Sequence, residues 1–188
     1  MALTPSTMLP LGTTAPDFDL PEPLTGQSRA LQRLRGARGT LVMFLCNHCP
    51  YVKHVNPELV RLGRDYLARG IGMVAISSND ARAYPDDAPP LMAAAARDLG
   101  YPFPYLYDES QAVARAYAAA CTPDFFLFHA GLSLVYRGRL DASTPGNGRA
   151  LDGADLRAAL DAVLAGREPA ADQQPSMGCN IKWVKKSA

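Results

Sequence analysis

The sequence predicts a single α/β domain, and three observations carry that prediction. Residues 40–45 form a continuous apolar run bounded by Gly39, with the length and composition of a strand buried on both faces. An amphipathic stretch follows it directly, and residues 71–76 form a second such run, which completes a βαβ unit. Residues 124–128 and 132–136, separated by His129-Ala-Gly131, pattern as an antiparallel hairpin that closes the same sheet.

Taken in order, residues 1–16 are rich in Pro, Thr and Gly and read as an irregular extension, and the alternation over 17–20 predicts a short strand. After the 40–45 strand, Val52, Val55, Leu59, Leu62 and Tyr66 recur at three- and four-residue steps, giving a helix from about 50 to 68 that Pro57 should kink and Gly70 should end. Residues 77–80 then read as a turn and 84–90, with three prolines, as a loop. A helix over 91–99 has Pro90 near its start and Gly100 past its end. Asp108 and Gln111 suggest a capping box before a helix striped by Val113, Ala116, Tyr117 and Ala120, whose end delivers Cys121. Leu156, Ala159, Leu160, Val163 and Leu164 mark a last amphipathic helix, ended by Gly166. The expected boundaries are a domain over 1–166 and a carboxy-terminal tail over 167–188, whose polar linker leads to an apolar segment, 175–183, able to dock.

A length of 188 residues fits one domain of roughly 150 residues with an appendage, and 48% hydrophobic content supplies a core. Nineteen Lys and Arg against eighteen Asp and Glu leave a formal charge of +1, which excludes a field that would attract nucleic acid or an anionic membrane. No run approaches the roughly 18 apolar residues of a spanning helix, and residues 1–15 lack the basic and apolar regions of a secretory signal, so the expected location is the cytoplasm. In that reducing compartment four cysteines point to metal binding or reactivity before structural disulfides.

Cys46-Asn-His-Cys49-Pro50 places a Cys-x-x-Cys where the buried strand gives way to a helix. Unpaired N–H groups at the helix start stabilise a thiolate there, the second cysteine lies within reach for a disulfide, and Pro50 is tolerated in a first turn whose N–H groups lack intrahelical partners. His48 offers a titratable cation beside the pair. No second cysteine pair exists to complete a zinc site, and haem attachment would need His at position 50, so no metal or cofactor is expected. Asp86 and Asp87, in the Pro-rich loop, are not spaced like metal ligands. Cys121-Thr122-Pro123 stands just before the hairpin, where an X-Pro turn with a cis peptide would offer the backbone of Thr122 to an incoming chain. His54 reads as a polar-face residue, His129 as a hairpin-loop residue, and Arg137 and Arg139 as a solvated strand end.

Combined with Ala15-Pro-Asp-Phe18, Ser78-Asn-Asp80, residues 103–108, 136–141 and Gly178-Cys-Asn-Ile-Lys-Trp183, the run Cys46-Asn-His-Cys-Pro-Tyr-Val52 resembles the redoxin or AhpC/TSA (peroxiredoxin-like) group of the thioredoxin-like superfamily. The resemblance covers nearly the whole chain. It implies a three-layer fold with a central mixed β-sheet between helices, Cys46 as attacking thiolate, Cys49 as resolving cysteine and Pro123 as the cis proline. The sequence departs from the group's relatives twice: Thr40 stands where many thioredoxins carry a buried carboxylate, and Gly39 and Met43 replace the Pro and Thr of a peroxiredoxin loop.

The leading expectation is a thiol-disulfide oxidoreductase that acts on protein or small-molecule disulfides or dithiols and draws on an external thiol reductant. A thiol peroxidase, with Cys46 oxidised by peroxide and resolved by Cys49 or Cys179, is the alternative. A third is a non-catalytic module that binds a partner or metal. Cys179 could swing in on the tail as a resolving thiol or dock in a small apolar patch with Ile181 and Trp183, whereas Cys121 reads as a buried small residue. The oligomeric state is not legible.

Overall fold

The computed structural model describes residues 3–185. Residues 1, 2 and 186–188, the last three being the end of the expected tail, lie outside them.

Ten strands and five α-helices follow one another along the described residues. They are β1 (Leu3–Pro5), β2 (Asp19–Glu22), β3 (Gln27–Ala30), α1 (Leu31–Leu34), β4 (Gly39–Phe44), α2 (Pro50–Tyr66), β5 (Ile71–Ser77), α3 (Pro89–Leu99) and β6 (Tyr105–Tyr107). Then come α4 (Ala112–Ala116), β7 (Cys121–Thr122), β8 (Asp124–His129), β9 (Leu134–Gly138), α5 (Ala154–Leu164) and β10 (Met177–Asn180). The main sheet runs β6-β5-β4-β8-β9, parallel from β6 through β5 to β4 and antiparallel from β4 through β8 to β9, so it is mixed. The apolar run of 40–45 is its centre because both faces of β4 are covered. Leu41 and Met43 pack with Leu59 and Leu62 of α2 and Leu156, Leu160 and Val163 of α5. Val42 and Phe44 pack on the opposite face with Phe126, Phe128 and Tyr117. Period-two alternation thus divides one strand between two cores, and each fully buried side chain contributes roughly 1.5–3 kcal/mol.

The hairpin forms as expected, with β9 beginning at Leu134 and an irregularity between Leu127 and Phe128. The helix over 50–66 starts with Cys49 as N-cap and Pro50 in the first turn, and it continues unbroken through Pro57. A 3₁₀ turn over Leu67–Arg69 extends it to Gly70, whose left-handed φ of 90° stops it.

Four expectations are corrected. The strand expected over 17–20 is shifted to β2 and pairs with β3 in a two-stranded ribbon beside the main sheet. The amino-terminal extension is not wholly irregular, because β1 pairs with β10 from the other end of the chain. No capping box forms: Gln111 sits at φ 62° as N-cap with no side-chain cap bond, and α4 lasts five residues, with Ala114 rather than Ala116 buried. The Asp108 carboxylate instead accepts bonds from the Ser78 hydroxyl, the Ser110 hydroxyl and the Ala114 amide. Within the Pro-rich loop, Pro85–Asp87 is a 3₁₀ turn that carries Asp87 into the interior.

Candidate active site

The parallel strands β4 and β5 end side by side, and the Leu45 amide donates to the Ile76 carbonyl at 2.9 Å, which fixes the start of the turn over residues 46–49. Crevices beyond the carboxyl ends of such strands are where α/β folds place their chemistry. Cys46 and Cys49 meet there, 1% and 0% exposed. The Thr122–Pro123 peptide, which is cis, faces them. The Cys46 Sγ lies 3.2 Å from the Thr122 Oγ1, and the Cys49 Sγ lies 3.3 Å from the Thr122 carbonyl oxygen.

The tail closes the other side. In β10, Cys179 stands opposite Thr122 of β7 and opposite Leu3 of β1, and its sulfur is 2.8 Å from that of Cys49. Gly178 sets how closely β10 can lie: a Cβ there would come within 2.0 Å of the Thr122 carbonyl oxygen, so a residue without one is required. Downstream, Ile181 is buried and Arg115 lies 4.3 Å over the Trp183 ring. Cys179 is therefore docked, as the second of its two expected placements has it. Cys121 is buried behind the turn, 3.7 Å from the Pro123 carbonyl, where burial raises its pKa.

Asp87, read from the sequence as a loop residue, is the main correction at the site. Fully buried, its Oδ1 accepts the Asn47 amide at 2.7 Å and the His48 amide at 3.3 Å. Its Oδ2 accepts the Asn79 side chain at 2.7 Å and lies 2.6 Å from the His48 Nδ1. Nothing in the sequence marks it, since burial of one of two adjacent aspartates depends on how the 3₁₀ turn packs. Asn79 in turn accepts the Lys182 amide at 2.8 Å, and Gln111 donates to the Lys182 carbonyl at 2.9 Å, so both hold the tail in place. The ligand atoms of Cys46, His48 and Asp87 lie within 4.8 Å of one another and could hold a metal ion. Asp87 already directs both oxygens to donors, however, which leaves a cation to compete with them.

These neighbours fix where negative charge sits. A hydrogen bond with Cys49, burial and the Asp87 carboxylate all raise the Cys46 thiol pKa, in that order. The Asn47 and His48 amides, which could have stabilised a Cys46 thiolate, point at Asp87 instead. Cys49 is held down to about 5, first by the hydrogen bond from the Cys46 thiol and then by that from the Cys179 thiol, against burial that pushes it up. Burial and the contact with Cys49 push Cys179 up to about 12. The resemblance implied a Cys46 thiolate, whereas these hydrogen bonds lower the pKa of Cys49, the N-cap of α2.

The remaining candidates are placed elsewhere. His54 is 2.8 Å from the Ser143 hydroxyl in a small pocket of about 100 Å³ that also takes in Tyr51, Pro123 and Met177. His129 pairs with exposed Glu168. Arg139 binds Asp155 at 2.5 Å, and Arg137 holds the Leu9 carbonyl and Gln173, so both arginines are engaged rather than simply solvated. Asp124, directly after Pro123, is a carboxyl that sequence reading passed over; complete burial raises its pKa well above the ordinary range.

A family model described as the AhpC/TSA family matches residues 11–137. No curated protein matches the chain. Among solved structures, an uncharacterized conserved protein from Geobacillus kaustophilus is 54% identical with a TM-score of 0.97, covering 100% of this chain and 99% of its own. A hypothetical protein from Sinorhizobium meliloti is 47% identical with a TM-score of 0.94, covering 96% of this chain and 98% of its own. The thioredoxin domain of a thiol-disulfide oxidoreductase from Bacteroides vulgatus, 17% identical, shares the fold at a TM-score of 0.59 over 79% of this chain and 97% of its own. The fold is thus thioredoxin-like, a mixed sheet between layers of helices, and the chain belongs to the AhpC/TSA family.

Proposed function

We propose that the protein is a thiol-disulfide oxidoreductase working through a Cys46–Cys49 dithiol. The observation that carries this reading is the pair itself, two buried sulfurs in one turn facing the cis Thr122–Pro123 peptide, each within hydrogen-bond distance of Thr122. Thiolate, not thiol, attacks a disulfide, and the lowered pKa of Cys49 favours Cys49 as the attacking sulfur and Cys46 as the resolving one, where the resemblance implied the reverse order. Cys49 forms a mixed disulfide and expels one substrate thiolate. Cys46, passing its proton to the departing sulfur, then attacks the Cys49 sulfur as a thiolate, expels the second substrate thiol and completes the Cys46–Cys49 disulfide. An external thiol reductant returns the pair to the dithiol, a cycle that we place in the cytoplasm.

Gly39 and Met43 speak against the peroxidase alternative, since the loop residues that activate peroxide are missing. The test treats fully reduced protein with one equivalent of oxidised glutathione or of hydrogen peroxide, follows thiol loss and maps the disulfide by mass spectrometry. Loss of two thiols to glutathione disulfide, with a Cys46–Cys49 bond that dithiothreitol reverses and a slower reaction with peroxide, is expected. Faster reaction with peroxide would establish the peroxidase, and a Cys46 and Cys49 that stay reduced with both oxidants would end the enzymatic reading.

A further inference from the structure

We infer that Cys179 is a third redox cysteine, which forms a disulfide with Cys49 so that this sulfur exchanges between two partners, Cys46 and Cys179. The inference rests on the oxidoreductase reading of the same site and adds to it a partner supplied by the tail.

Its basis is geometric. The sulfurs of Cys49 and Cys179 are 2.8 Å apart, inside the van der Waals separation of two sulfur atoms, and both are buried. That contact is not a chance approach of a loose end. β10 is paired on both sides, the Ile181 amide donates to the Ala120 carbonyl at 3.1 Å, and Asn79 and Gln111 hold Lys182. The Val184 amide donates to Gln111 at 2.9 Å. The whole segment is fixed where it touches Cys49, so the 130 residues between the two sulfurs cost no further chain closure once the protein is folded. Cys46 touches Cys49 from the turn and Cys179 touches it from the strand, which makes Cys49 the shared member of two pairs.

The step balances. Cys49 thiolate attacks glutathione disulfide, forming a Cys49–glutathione bond and releasing one glutathione thiolate. Cys179 then attacks the Cys49 sulfur as a thiolate, its proton passing to the departing glutathione, and the Cys49–glutathione bond breaks. Cys49 and Cys179 are each oxidised by one electron and glutathione disulfide is reduced by two. From a Cys46–Cys49 disulfide the same attack by Cys179 releases Cys46 as a thiol with no net oxidation.

The test uses full-length Cys46→Ser, reduced and then treated with one equivalent of oxidised glutathione, with alkylation and peptide mapping. The expected result is loss of two thiols, release of two glutathiones and a cross-linked peptide pair joining Cys49 to Cys179, with less than about a tenth of Cys49 left glutathionylated. Cys46→Ser/Cys179→Ser should instead keep the Cys49–glutathione adduct. An adduct that persists in Cys46→Ser, or three thiols that remain alkylatable, overturns the inference. Wild-type protein held in a series of glutathione redox buffers supplies a readout free of substitutions: the Cys49–Cys179 peptide must appear as the buffer becomes more oxidising, and its absence at every ratio also overturns the inference. Failure of the underlying reading is separable, since it would show as Cys179→Ser that forms no Cys46–Cys49 disulfide while Cys46→Ser still forms its own.

Discussion

The two sides of the dithiol are built from different materials. On one side stand Asp87, Asn79, His48 and Asn47, a buried carboxylate whose oxygens are met by two backbone amides, a carboxamide and an imidazole. On the other stand a thiol and the backbone of Thr122, brought by β10 and β7. The first side rejects a further negative charge and consumes the amides that would have favoured one on Cys46. The second places a thiol and a carbonyl oxygen within hydrogen-bond distance of Cys49 and carries no formal charge. Two cysteines three residues apart in one turn therefore differ in proton affinity: their own hydrogen bond is the largest cause, and segments 40 and 130 residues away, through Asp87 and Cys179, add to it.

Removing the sulfur common to both sides has the largest expected effect. Cys49→Ser should reduce disulfide formation at the site to background, leaving Cys46 and Cys179 alkylatable after treatment with oxidised glutathione; a Cys46–Cys179 bond forming at the wild-type rate would break the comparison.

Asp87→Asn comes next. It removes the charge and one acceptor role from a buried network, so urea denaturation should show a loss of about 3 kcal/mol. Cys46 should also titrate lower in this variant than in the wild type, because the carboxylate that raises it is gone. Gly178→Ala acts on the opposite side and should cost about 1–3 kcal/mol by forcing β10 off the Thr122 carbonyl, with proteolysis of the tail as the sensitive readout.

The smallest effects are in pH dependence. Alkylation of reduced protein by iodoacetamide should fall as pH drops through about 5, and in Cys179→Ala that inflection should move upward because a donor to Cys49 is lost. The linked stability follows the same sign. Cys49, depressed on folding, stabilises the protein fully above the unfolded value near 9, a contribution lost as pH falls through about 5. Cys179, raised to about 12, stabilises below 9 and loses that contribution as pH climbs through about 12.

The central βαβ unit and the hairpin were legible because burial on two faces imposes a continuous apolar run and a helix facing the core imposes a 3.6-residue stripe; both patterns are local. The turn bearing Cys46 and Cys49 was legible for the same reason. Asp87 was not, since a carboxylate in Pro-Asp-Asp-Ala looks identical whether it faces water or four donors. The Asp108 and Gln111 pattern misled because both side chains serve partners far along the chain, Ser78 and Lys182, in preference to their own helix. The apolar content of 175–183 predicted docking, but register depends on what lies opposite, and Cys179 facing Thr122 follows from pairing with strands 57 and 176 residues away.

The close seat of Gly178 against Thr122 has a consequence for what reaches the thiols. β10 is a competitive ligand carried in cis, present at the high local concentration of any segment joined to its own receptor. A peptide that approaches Thr122 as an added strand meets an occupied position, and its apparent affinity falls in proportion to the fraction of molecules with the tail undocked. A small disulfide that needs no strand partner would not meet that competition.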